Sequence, residues 1–188
     1  MTKMETAIPV SEDIIHEFRD DAMGIPTILV NAVRRIQHGD ETGFIVPDIP
    51  GLEIAMAVAR IMLPHKLNGR EIRFLRRSIG LKAVTLASFL DVAPETLSRW
   101  ENGPEAISTN AERVLRLRVL HSLRGKAPGV KASAGDILEL KFSPVRLAHP
   151  VALVFKRIPV VRDDGIHDAW VYCNERVEQA PHPVRMTA

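Results

Sequence analysis

The chain has 188 residues, 46% of them hydrophobic, and a formal net charge of only +2. This length and composition allow a core in one or two compact domains, and so small a net charge does not by itself indicate a nucleic-acid partner. The longest apolar stretch, Ile54 to Leu63, is interrupted by Arg60 and is too short to span a membrane. A single cysteine, Cys173, excludes an internal disulfide framework, and no secretory signal is visible, so we expect a cytoplasmic protein.

The first 64 residues are acidic, with 10 Asp and Glu against 5 Lys and Arg. Within them, the segment from Ser11 to Met23 predicts an amphipathic helix, because Ile14, Ile15 and Phe18 would share one face.

A β-hairpin is predicted after this segment. Its strands are the β-rich runs Thr27 to Gln37 and Gly43 to Val46, which are joined by the turn-prone sequence HGDET. A helix rich in Ala and Met follows from Glu53 to Leu63.

Three short helices are predicted between residues 68 and 103. Asn68 is a typical N-cap with Glu71 three residues later, and Gly80 ends this first helix. Leu86, Ala87 and Leu90 have the spacing of a second helix, with Val92 filling the turn after it.

The third helix opens with Pro94, because the first helical position does not need an N–H, and Gly103 closes it. Leu97 and Trp100 point inward in this helix, and Glu101 is expected to pair with Arg73 or Arg76 of the first helix. The outer face is left to Glu95, Thr96, Ser98 and Arg99.

The string PETLSRWENG and the layout around it resemble the XRE-type (lambda-repressor-like) helix-turn-helix family. The resemblance implies that the third helix enters the major groove of duplex DNA, where Arg99 can reach a guanine, Thr96 a thymine methyl group or phosphate, and Glu95 a cytosine. By position in the family's motif, the second helix directs its N-terminal N–H groups at a phosphate. The residues expected to contact DNA are Lys82, Ala83, Thr85, Pro94, Glu95, Thr96, Ser98, Arg99 and Asn102.

Residues 24 to 124 are also similar to antitoxins of the MqsA (YgiT) type, in which a zinc ribbon precedes an XRE-type domain. Where the ribbon would carry C-x-x-C-G, this chain has the run from Arg35 to Gly39, and no cysteine precedes Cys173. Structural zinc needs four Cys or His ligands, so we expect no metal and no cofactor.

The charge distribution supports a nucleic-acid partner. Residues 65 to 126 carry 12 Lys and Arg against 6 Asp and Glu, a net charge of +6. Such a local excess is what binding to phosphates requires. Phosphate contact and a solvated helix face explain equally well the presence of Arg113, Arg116 and Arg118.

In the C-terminal third, Thr109 and Glu112 have capping-box spacing and begin a helix that continues to about Leu123. The segment rich in Gly, Ala, Ser and Pro after it predicts a linker. Strands are predicted over Asp136 to Phe142, Val151 to Val161 and Ala169 to Val177. Three antiparallel strands hardly bury both faces alone, so we expect the sheet to pair with a second copy or to cover the helical domain, and we prefer the dimer.

The acid, His and thiol residues that cluster in this region are Asp163, Asp164, His167, Asp168 and Cys173. A metal or nucleophilic site there is one alternative, and a polar hairpin loop with a structural thiol is the preferred one. We therefore expect no enzymatic activity.

Together these patterns predict an α+β protein. We expect four regions: a helix and zinc-less hairpin region (1–64), a helix-turn-helix domain (65–124), a linker (125–135) and a C-terminal β-rich region (136–188) with a small antiparallel sheet. The predicted function is a homodimeric repressor that reads an inverted repeat. The alternative is an antitoxin that binds a protein toxin and represses its own operon.

Overall fold

The computed structural model describes residues 12–21, 23–38, 41–143, 151–162 and 165–173. These residues form an α+β structure in which helices lie against a mixed sheet. In chain order the elements are β1 (Glu12–Asp20), β2 (Thr27–His38), β3 (Glu41–Ile45), α1 (Ile49–Met62), α2 (Gly69–Ser78), α3 (Ala83–Phe89), α4 (Pro94–Asn102), α5 (Thr109–Leu123), α6 (Ala134–Glu139), β4 (Leu153–Arg162) and β5 (Gly165–Tyr172).

Strands from both ends of the chain join one five-stranded sheet. Its order is β1-β2-β4-β5, and β3 pairs with β2 as the predicted hairpin. The β2–β4 pair is parallel, with Thr27 opposite Leu153, whereas the other pairs are antiparallel. The prediction of a separate C-terminal antiparallel sheet is therefore wrong, because β4 finds its partner in the N-terminal region.

The predicted N-terminal helix is wrong as well, since residues 12 to 20 form β1. Ile14 is 68% exposed, whereas Ile15 and Phe18 both pack against the core. The register between β1 and β2 shifts between Ile15 and Glu17, and Asn31 on β2 has a left-handed φ of 51°. The extra residue of this bulge lies on β2, where Asn31 and Ala32 face the single residue His16 of β1.

The predicted strand from Asp136 to Phe142 is also wrong, because most of it belongs to α6. Ser133 caps this helix by accepting a hydrogen bond from Asp136 N at 3.1 Å, and Ile137 is buried in the core. An N-cap that satisfies the first free N–H favours the helix over a strand.

The expected linker between residues 125 and 135 is packed against the sheet. Tyr172 N donates to Gly129 O at 3.2 Å, and Val130 and Ala132 contact the core. Two smaller corrections concern the ends of elements. Ser108, not Thr109, caps α5. Cys173, predicted within a strand, follows the end of β5 and is a half-buried free thiol.

One core cluster contains buried residues of the sheet and of the helices. Small side chains on α1, such as Ala55 and Ala59, let this helix lie close to its neighbours, and α1 contacts β4, β5, α2, α5 and α6. Phe155 of β4 and Leu115 of α5 are fully buried in the same cluster. The helices that carry the candidate interface are thus built on the sheet through α1.

Candidate nucleic-acid interface

Helix α2 begins as the sequence predicts. Asn68 Oδ1 accepts a hydrogen bond from Glu71 N at 3.0 Å, and Glu71 Oε2 accepts one from Asn68 N at 2.8 Å. This reciprocal capping box satisfies two N–H groups that a helix start leaves unpaired. Gly80, with a φ of 69°, lies just beyond the end of the helix.

The turn between α3 and α4 runs from Leu90 to Ala93. Asp91 has a left-handed φ of 53°, a conformation that Asp adopts more readily than most residues other than glycine. Val92 packs partly against the core, and its N–H donates to Ala87 O at 3.0 Å. The predicted role of Val92 in filling this turn is therefore confirmed.

Helix α4 has one buried and one exposed face. Leu97, Trp100 and Glu101 are buried, and Trp100 retains only 6% exposure. Of the residues expected to contact DNA, Thr96 is half-buried, and the remainder are exposed: Lys82, Ala83, Thr85, Pro94, Glu95, Ser98, Arg99 and Asn102.

An ion pair fixes α4 against α2. Arg76 Nε and Nη2 donate to the two carboxylate oxygens of Glu101 at 2.7 and 3.0 Å, and Arg73 Nε lies 3.7 Å from Glu101 Oε2. The hydrogen bond to Glu101 raises the pKa of Arg76. The predicted pairing of Glu101 with the first helix is thus confirmed, for both arginines.

The first turn of α2 also touches the last turn of α4 directly. A Cβ added at Gly69 would lie 2.6 Å from the carbonyl oxygens of both Trp100 and Glu101. Only glycine allows this approach without a shift of one helix, so the relative position of α2 and α4 depends on residue 69.

The exposed residues of α4 differ in how they are engaged. Arg99 Nη2 donates to Thr96 Oγ1 at 3.3 Å, and Arg99 Nε lies 3.6 Å from Glu105 Oε2. Because both partners are side chains near the surface, Arg99 can leave them for another acceptor at little cost.

Asn102, by contrast, is used within the chain. Its amide Nδ2 donates to Ser98 O at 3.0 Å, and its Oδ1 accepts a hydrogen bond from Arg73 Nη2. The side chain therefore connects the exposed face of α4 with α2.

A buried charge network supports the connection from α1 to α2. Arg60 Nε and Nη2 donate to the carboxylate of Glu71 at 2.6 and 2.8 Å, and its guanidinium also donates to His65 O at 3.2 Å and to Lys66 O at 3.0 Å. The backbone carbonyls of this connection thus find partners although they are shielded from water.

Arg116 of α5 completes the network. It is 0% exposed, and its guanidinium donates to Glu112 Oε1 and to the carbonyls of Ile61, Leu63 and His65, each at 2.7 Å. Burial lowers the pKa of Arg116 to about 10. Phosphate contact by Arg116 is therefore excluded. The spacing of Glu112 and Arg116, one helical turn apart, was the sequence signal for this pair.

Arg113 and Arg118 are half-buried on the same helix. Arg113 Nη2 donates to Leu140 O at 3.2 Å, and the Arg118 guanidinium lies 5.2 Å from the centre of the Phe89 ring. Both arginines are therefore engaged within the chain.

Of the acid, His and thiol residues that cluster in the C-terminal third, the structure describes His167, Asp168 and Cys173. Asp163 and Asp164 lie outside the described residues, while His167 and Asp168 are exposed on β5. Asp168 Oδ2 lies 3.7 Å from Arg157 Nε. Within the described part of the chain, no group of three or more His, Cys, Asp and Glu residues could hold a metal ion.

No family model, curated protein or solved structure matches this chain. The surface of α4 and its neighbours is therefore the basis for a functional proposal.

None of the helices in the described ranges is long and apolar enough to cross a lipid bilayer.

Proposed function

We propose that this chain is a sequence-specific DNA-binding regulator in which α2, α3 and α4 form a helix-turn-helix of the lambda-repressor type. The observation that carries the proposal is the two-faced character of α4. Leu97 and Trp100 fix its inner face, and Glu101 ties it to α2, so the outer face is presented on a rigid support.

The exposed Glu95 and Arg99 and the half-buried Thr96 of α4 have the chemistry to read base edges. Arg99 would donate two hydrogen bonds to guanine O6 and N7, Glu95 would accept from cytosine N4, and Thr96 would contact a thymine methyl group. Lys82, exposed at the start of α3, would contact a phosphate and thereby fix the register without reading sequence.

We further propose that two copies act together as a repressor. A single short helix contacts few bases, so two copies related by a two-fold axis would read an inverted repeat with half-sites about one helical turn apart. Occupancy of such a site within a promoter would exclude polymerase.

The test begins with selection of bound fragments from random duplex DNA by the full chain. We expect a symmetric consensus, and affinities for the consensus and for unrelated DNA are then measured with wild type, Arg99→Ala and Lys82→Ala. Arg99→Ala should cost about 1 to 3 kcal/mol on the consensus and relax one base position, because its contact reads a base. Lys82→Ala, the matched control, should weaken binding to all sequences alike.

Two results would contradict the proposal. The first is the absence of duplex binding even in dilute salt. The second is an Arg99→Ala variant whose ratio of specific to non-specific affinity equals that of wild type. An asymmetric consensus would refute the two-fold arrangement alone.

A further inference from the structure

Helix α2, which packs against α4, carries two exposed arginines. Neither is among the residues that the sequence predicts to contact DNA. Arg70 and Arg77 are both exposed, and within the described residues neither side chain has a hydrogen bond, an ion pair or a ring contact. The other arginines within helices α1 to α5 are engaged with partners: Arg60, Arg73, Arg76, Arg99, Arg113, Arg116 and Arg118.

The two arginines lie on the same side of α2. Seven residues are about two turns, so their side chains are separated by about 10 Å along the helix axis and by only about 20° around it. Ile72 and Leu75 occupy the opposite side and are buried. Arg70 and Arg77 therefore form a short cationic ridge that faces away from the core.

This ridge is continuous with the outer face of α4. Arg73, which lies between the two arginines in sequence, donates to Asn102 Oδ1 and to Glu101 O, the latter at 3.2 Å. Gly69, the residue before Arg70, packs against the carbonyls at the end of α4. A linear polyanion lying along α4 would therefore extend past Asn102 towards the ridge.

We propose that Arg70 and Arg77 bind phosphodiester groups of duplex DNA beside the segment read by α4. The inference rests on the proposed function and extends its contact surface from α3 and α4 to α2. Duplex DNA carries one negative charge per about 1.7 Å of its axis, so two arginines about 10 Å apart can each bind a different phosphate. A guanidinium suits this role because its planar N–H groups can bind two oxygens of one phosphate.

The salt dependence of binding tests the proposal. Each phosphate contact contributes about 0.9 to the slope of log affinity against log salt concentration, because binding releases condensed counterions. The full chain and its Arg70→Gln/Arg77→Gln variant are titrated with the selected consensus and with an unrelated duplex between about 50 and 200 mM salt. We expect the slope of the double variant to be smaller by about 1.8 on both duplexes, with an unchanged ratio between them.

A matched control separates contact from overall charge. Arg35→Gln/Lys156→Gln removes the same two charges from exposed positions on strands β2 and β4. This variant should keep the wild-type slope, and thermal unfolding should show that both double variants are folded. Glutamine keeps a polar side chain of good helix propensity at positions 70 and 77.

The outcomes distinguish a failure of the phosphate contacts at Arg70 and Arg77 from a failure of the proposed function. If wild type binds DNA and reads sequence through Arg99 but the Arg70→Gln/Arg77→Gln variant retains the wild-type slope, the ridge has no phosphate contact. An equal decrease in the control variant would mean that only the net charge matters, and it would overturn the inference as well. If wild type itself does not bind duplex DNA, the proposed function fails and the inference falls with it.

Discussion

The helices α2 to α4 and the five-stranded sheet differ in the range of the interactions that form them. The helices are specified within residues 68 to 102 by a capping box and by the ion pair between Arg76 and Glu101. The sheet instead requires Thr27 to pair with Leu153, far along the chain. This difference indicates that the candidate interface is encoded locally, whereas its support depends on contacts between the two ends of the chain.

Helix α1 packs on the sheet, and the buried network of Arg60, Glu71, Glu112 and Arg116 connects α1 with α2 and α5. Its four charges balance, and its arginines donate to the carbonyls that connect α1 to α2. The largest effect of a single substitution is therefore expected at this network.

Replacing Arg116 with Met should lower the free energy of unfolding by about 3 to 5 kcal/mol. The carbonyls of Ile61, Leu63 and His65 would lose this donor, and Glu112 would keep only Lys66, at 3.3 Å, as an ion-pair partner. Denaturant unfolding measures this loss of stability. Tryptophan fluorescence monitors the unfolding in two variants that each retain one tryptophan, Trp100→Phe and Trp170→Phe. The tryptophan that remains then reports on the sheet or on α4. Both reporters should show the decrease, since the network connects α1, which packs on the sheet, with α2, which packs on α4.

Arg118→Met is the matched control, two residues further along α5. Arg118 lies over the Phe89 ring at the surface, so its loss should cost at most about 1 kcal/mol. An Arg116→Met variant as mild as this control would show that the network does not stabilise the fold. A decrease reported by only one tryptophan would show that the network belongs to a single region.

The contrast also explains which features the sequence could predict. The bounds of α2 and α4 follow from Asn68, Gly80, Pro94 and Gly103, which act on their immediate neighbours. The outer face of α4 follows from the same helical spacing.

The sheet could not be predicted in the same way. Nothing local to Leu153 identifies Thr27 as its partner, and Ile14, Ile15 and Phe18 of β1 have an apolar spacing of helical type although the segment forms a strand. The spacing of Glu112 and Arg116 indicates an ion pair on α5, but it does not indicate that the pair is buried. Only the arrangement of α1 against α5 determines which of Arg113, Arg116 and Arg118 reaches the carbonyls of the α1–α2 connection.

Within the helical region, Gly69→Ala is expected to have the next largest effect. The new methyl group would meet the carbonyl oxygens of Trp100 and Glu101 at 2.6 Å, so α2 must move away from α4. We expect a loss of about 1 to 3 kcal/mol in the free energy of unfolding, together with weaker DNA binding. Thermal unfolding and duplex titration measure the two effects.

Gly135→Ala provides the control, since Gly135 also lies in the first turn of a helix. There the nearest atom, Ser133 Oγ, would be 3.8 Å from the new Cβ. This substitution should be neutral or stabilising by up to about 1 kcal/mol, because alanine favours helix formation. If Gly69→Ala is as stable as Gly135→Ala, the close contact of α2 with α4 does not determine their arrangement.

The smallest effect is expected at the surface of the proposed interface, from Glu105→Gln. Glu105 Oε2 lies 3.6 Å from Arg99 Nε, and both side chains are exposed. Such a pair contributes at most about 1 kcal/mol, so its loss should leave stability unchanged. It should nevertheless raise DNA affinity up to about fivefold, because Arg99 no longer has to leave a carboxylate before it reaches a base.

Glu53→Gln removes one negative charge from an exposed position on α1 and should leave DNA affinity unchanged. A decrease in affinity for Glu105→Gln would reverse the assigned role, because it would mean that Glu105 orients Arg99 towards DNA. Titration of both variants against the selected consensus distinguishes the two cases. An orienting carboxylate also differs from a competing one in its salt dependence: the affinity gained by removing a competitor should shrink as salt screens the pair.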